Sequence, residues 1–297
     1  MLQFTPTINR LGTSNYERLK LSYALSKEGR FEEALSELEA VLENQPDCIY
    51  AHLAVGNIYL LQKRYSESLM HFEKLLDLDP LMSQGPLKTG SVYLKQSDFE
   101  QALEKFNVAL DLDPKTTAAY VGIGQVYMKQ QQYNEASQNF QQALNLNREI
   151  VFARILLAEV YQKQKQWSAA ISELMTALEI KPNLLIAHVR LGRVYLRQKK
   201  HRAARDILQR AVELNPLSIE AKLSLSEALI RANELKAANQ IVQEISELRK
   251  AMPTKKQILG STPSPANSGS SFFDTSESME LLWYAYALAE QIIYLTD

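Results

Sequence analysis

At 297 residues the chain is long for one globular core, and a default reading would divide it into roughly two or three domains. Its net charge of -1 gives no global pull toward nucleic acid or an anionic membrane. A single cysteine, Cys48, excludes an internal disulfide, and the scarcity of Gly and Pro with no run of alternating Val, Ile and Thr points to an all-helical chain.

In chain order, residues 1–14 form a lead-in with neither a basic leader nor a long apolar stretch, so the expected setting is reducing and cytoplasmic. From residue 15 the sequence repeats every 34 residues through residue 252. The most complete unit, 117–150, carries Tyr120, Ile123, Gly124 and Tyr127, then Ala136, Phe140 and Ala143. One position reads Ser22, Gly56, Gly90, Gly124, Ala158, Gly192 and Ser226; a second reads Ala34, Ser68, Ala102, Ala136, Ala170, Ala204 and Ala238. Small residues at both places let two helix backbones approach, and Tyr59, Tyr93, Tyr127, Tyr161 and Tyr195 supply bulk beside them. Pro46, Pro80, Pro114, Pro182 and Pro216 close five units at one place.

These residues stand in the order W-x2-L-G-x2-Y then A-x3-F, with Tyr120 and Ile123 in place of Trp and Leu, and the chain resembles the tetratricopeptide repeat family over 15–252. The resemblance implies an all-α, right-handed solenoid of seven antiparallel helix pairs, with the first helices on the concave side. It also implies a non-enzymatic scaffold or adaptor that binds a peptide or helix of another protein in its groove, in the assembly of a multiprotein complex. Two groove chemistries known in the family do not carry over. Leu, Val or Ile fills the fifth position of every unit, where a carboxylate clamp needs Lys, and the column Lys20, Ala54, Lys88, Gly122, Leu156, Arg190 and Ser224 holds no asparagine ladder.

Catalytic chemistry has no constellation to rest on. His52, His71, His188 and His201 lack metal-ligand spacing, and His201 stands where most units have an aromatic ring. Gly122 and Gly124 lie inside a helical unit rather than a phosphate loop, so no cofactor or metal is expected. Partner-binding candidates fall in two columns. Leu53, Leu87, Val121, Ile155 and Val189 would floor a groove, unless they are buried between helices. Lys27, Lys95, Lys129, Lys163, Arg197 and Arg231 end the first helices, where a cation also suits the helix dipole. Arg190, Arg193 and Arg197 share one helical face in the unit richest in cations and form the sharpest anion contact, with Glu159 and Glu227 placed to compete for it.

Residues 253–273 read as a flexible linker rich in Ser, Gly and Pro. Asp274 and Glu277 then make a capping box before an apolar helix within 274–297, whose Leu282, Trp283, Tyr286 and Ile293 are the docking candidates. From Gln257 onward there are five acids and no Lys or Arg, so this segment is expected to return to the basic part of the array, cap it, or mediate self-association. The alternative is a regulatory or membrane-associated subunit whose C-terminal helix enters a partner or bilayer, although Glu290 and Gln291 interrupt a stretch already short for spanning. No nucleic-acid partner is expected.

Overall fold

The computed structural model describes residues 13–251. They form fourteen α-helices and no strand among the described residues: α1 (Thr13–Lys27), α2 (Phe31–Asn44), α3 (Ile49–Leu61), α4 (Tyr65–Leu78), α5 (Gln84–Lys95), α6 (Phe99–Leu112), α7 (Thr117–Lys129), α8 (Tyr133–Leu146), α9 (Val151–Lys163), α10 (Trp167–Ile180), α11 (Leu185–Arg197), α12 (His201–Leu214), α13 (Ile219–Arg231) and α14 (Leu235–Ala251). The fold is an all-α repeat. The described residues divide into two compact units, 13–126 and 127–251, with the boundary inside α7. The linker and the C-terminal segment, including Leu282, Trp283, Tyr286 and Ile293, lie outside the described residues.

In the first unit α1 packs on α2, α3 on α4 and α5 on α6, and successive pairs touch through α2 with α3 and α4 with α5. In the second unit α9 and α10, α11 and α12, and α13 and α14 repeat the arrangement. The residue that fills each pair comes from its second helix. Leu38, Phe72, Phe106, Phe140, Leu174 and Leu208, each 34 residues after the last, are all 0% exposed. The tyrosines of the first helices are only half-buried.

Phe106 shows why the small positions are small. A methyl group added to Gly90, in the same pair, would sit 2.8 Å from the ring, and one added to Gly122, in the following helix α7, would sit 2.5 Å from it. The ring is therefore clasped between two helix backbones, one of its own pair and one of the next.

The turn inside each pair is set by one residue in the left-handed region. Gly29, Lys63, Ser97, Gln131, Lys165, Lys199 and Asn233 have φ between 59° and 75°. At Lys63 its own N–H donates to Leu60 O (3.1 Å) while the Arg64 N–H donates to Tyr59 O (2.8 Å), which satisfies the last carbonyls of α3. Between pairs, the side chains of Asp79, Asp113, Asn147 and Asn215 accept from the backbone N–H two residues on, at 2.9–3.1 Å, forming Asx turns. Pro80, Pro114 and Pro216 follow three of these with φ already fixed for a turn.

Candidate partner-binding surface

The fifth-position column from Leu53 to Val189 is buried, and three of its residues join clusters that reach the following pair. Leu53, Leu87, Val121, Ile155 and Val189 are 1–9% exposed. Leu53 shares a cluster with Val92 of the following pair, Ile155 with Ala187 and Leu191, and Val189 with Ala221 and Leu225. Burial at these five positions favours the reading in which they lie between helices. An apolar residue on a first helix is covered once the next pair stacks on it, leaving little for a ligand to touch.

The arginine trio is divided. Arg190 on α11 bonds Glu159 on α9 at 2.6 Å. Arg193 reaches forward to α13, where its Nη1 lies 2.8 Å from Glu220 and its Nε donates to Ser224 Oγ at 3.1 Å. Arg190 and Arg193 thus each have a partner on a neighbouring pair, the internal ladder that competes with an anion contact shared with Arg197. Glu227 bonds Arg231 at 2.8 Å, one helical turn away.

What remains open is the cation column of the second unit. Lys129, Lys163 and Arg197 are exposed, occupy the last position of α7, α9 and α11, and make no ion pair among the described residues. Each places a cationic side chain at the negative end of its helix. Lys27 is likewise exposed, and Lys95 is half-buried.

Two further features were not visible from the sequence. Across three pairs, the fourth residue of the unit meets the residue 19 further on: Arg18 bonds Glu37 at 2.6 Å, Arg154 bonds Glu173 at 2.7 Å, and in the second pair His52 faces His71, Nδ1 to Nδ1 at 3.0 Å. The other, Asn57 on α3, is 5% exposed with both amide atoms buried and unpartnered. A 34-residue alignment pairs columns only within one unit, so a contact at 19 residues could have been found by reading opposite charges at that offset.

Cys48 is buried, and burial raises its thiol pKa, which keeps the weakly nucleophilic neutral form. Among the described residues no group of three or more His, Cys, Asp or Glu could hold a metal ion, and no helix is long and apolar enough to cross a membrane.

Comparison with known proteins agrees with the helical register. Residues 9–186 match the family described as the tetratricopeptide repeat protein 21 C-terminal ARM domain, and residues 195–251 match a tetratricopeptide repeat model. No curated protein matches the sequence. Among solved structures, the APC/C hetero-tetramer Cut9-Hcn1 is similar at a TM-score of 0.63 and 19% identity over 73% of this chain; the chain spans only 43% of that one. A thermophilic TPR protein of Thermus thermophilus gives 0.56 at 23% identity, over 61% of this chain and 99% of its own. A tetratricopeptide repeat protein of Parabacteroides merdae gives 0.57 at 19% identity, over 84% and 97%. At these identities the likeness is one of fold.

Proposed function

The chain belongs to the tetratricopeptide repeat family, through the protein 21 C-terminal ARM domain, and from that premise we propose that it is a non-enzymatic scaffold that holds an acidic segment of a partner protein along Lys129, Lys163 and Arg197. Repeat folds of this family serve as protein-interaction scaffolds, and the neighbour Cut9-Hcn1 is itself an assembly of subunits. The observation that carries the reading is the column of three exposed cations, at the same place in three successive units, without an internal counter-charge. Arg190 and Arg193, by contrast, each face an acidic side chain of a neighbouring pair.

An extended acidic peptide suits such a column because its carboxylates recur along a line, one contact per unit. The fifth-position residues Leu53, Leu87, Val121, Ile155 and Val189 act by fixing the spacing between units, not by touching the ligand. Attraction at exposed charges is salt-sensitive and sets the association rate more than the lifetime of the complex.

The test is fluorescence anisotropy of a short labelled peptide of alternating Glu and Leu against the full chain, at low and moderate ionic strength. Exposed charge contacts are worth about 0.5 kcal/mol each, so replacing Lys129, Lys163 and Arg197 together by Gln weakens binding about tenfold. Equal binding by this variant and the unaltered chain contradicts the proposal.

A further inference from the structure

The last helix pair is open where every earlier pair is closed. The core position that is 0% exposed in the first six pairs is Val242 in α14, and Val242 is 49% exposed. The fifth-position column, 1–9% exposed from Leu19 through Val189, ends in Leu223 at 45%. Ile230 and Leu235 complete this face at 53% and 55%. In the preceding pair, Leu208, Ala211 and Val212 of α12 are covered by Ala221, Leu225 and Ala228 of α13. No described helix does the same for α14.

We infer that the C-terminal segment of the same chain, residues 274–297, covers this face as an eighth first helix. The segment alternates small and large apolar residues, with Ala285, Ala287 and Ala289 among Leu282, Trp283, Tyr286, Leu288 and Ile292. Small residues are what the covering helix presents in the array, as Gly122 does against Phe106. Residues 252–273 connect α14 to the segment, and a flexible linker of that length has a root-mean-square reach of roughly 25 Å. The segment carries acids and no Lys or Arg, and the exposed Lys236 stands next to Leu235 of the open face. Docked there, the segment leaves Lys129, Lys163 and Arg197 uncovered, so this inference stands independently of the proposed function.

The chain has two tryptophans, Trp167 and Trp283, so Trp167→Phe makes Trp283 the sole reporter in the full chain. Phe or Tyr fills the equivalent of Trp167 in several other units, which makes that substitution mild. The expected result is blue-shifted Trp283 emission, poorly quenched by acrylamide and independent of protein concentration. Adding Val242→Glu then raises quenching several-fold, to the level of a free peptide of residues 274–297. Ile230→Gln, at an already exposed position, repeats the measurement without touching the core, with helix content checked by circular dichroism. The inference is overturned by free quenching of Trp283 in the full chain, by protection that neither variant alters, or by protection that appears only as concentration rises, which would assign the face to a second copy.

Discussion

His52 and His71 meet Nδ1 to Nδ1 at 3.0 Å, where the first and fifth pairs place an Arg–Glu ion pair. His52 Nε2 lies 2.9 Å from Pro46 O, and a carbonyl only accepts, so Nε2 carries the proton and His52 Nδ1 accepts from His71 Nδ1–H. Burial, reinforced by the neighbouring His52, pushes His71 down to about 4 from an ordinary value of 6.5. The unfolded chain therefore binds more protons between those limits. The resulting stabilisation is fully present above pH 6.5 and is lost as pH falls toward 4. Discounted for partial exposure, it amounts to about 2 kcal/mol. Denaturant titrations across that window are expected to show this loss in the unaltered chain and a flatter profile in His71→Gln.

The left-handed turn residues give a second expectation. Lys63 and Lys165 have φ of 60° and 59°, a region that costs a residue with a Cβ about 1 kcal/mol relative to glycine. Lys63→Gly and Lys165→Gly are expected to stabilise the chain by about that much, partly offset by the entropy of the unfolded state. Gly29→Ala should do the reverse, since at φ 75° a methyl group there meets nothing and only the backbone conformation is penalised. Thermal unfolding of the three variants checks the signs.

Core substitutions should separate the closed pairs from the open one. Phe106→Ala removes a ring clasped by two backbones and is expected to cost about 3–5 kcal/mol. Gly122→Val drives a side chain into that same ring and should also destabilise, through overpacking. Because each unit contacts only its neighbours, hydrogen exchange should show the loss concentrated in α5, α6 and α7 and not spread evenly through the array.

Ion pairs of similar length should differ in worth. The side chains of Arg154 and Glu173 are 14% and 19% exposed, and Arg154 also donates to Arg148 O, so Arg154→Ala leaves a half-buried carboxylate without its partner. That is expected to cost about 2 kcal/mol. Arg210 and Glu213, at 54% and 50%, should contribute about 0.5 kcal/mol or less. Stability of the two alanine variants, each measured at low and high salt, distinguishes the cases.

The repeat itself was legible in the sequence because side-chain volume at a helix crossing is written locally: Gly90 and Phe106 announce their contact wherever neighbours have the same register. The fifth-position column was harder. Leu53 and Ile155 sit on the first helix in positions equally suited to a groove floor, and only the stacking of the following pair decides between the two. Likewise Arg190, Arg193 and Arg197 form a convincing triad on one helix, but Glu159 and Glu220 arrive from helices on either side. Left-handed turns were hidden by their residues, since Lys63, Gln131 and Lys165 give no warning that a chain lacking glycine will take that conformation. The cation column of Lys129, Lys163 and Arg197 was legible as a pattern, though its lack of internal partners was not.

The central claim is that these three cations receive an acidic partner. Hydrogen exchange of the full chain, with and without the alternating Glu and Leu peptide at low salt, locates the ligand directly. The account predicts added protection at the C-terminal turns of α7, α9 and α11, relieved by raising the salt. Protection confined to other helices, or undiminished by salt, would contradict it.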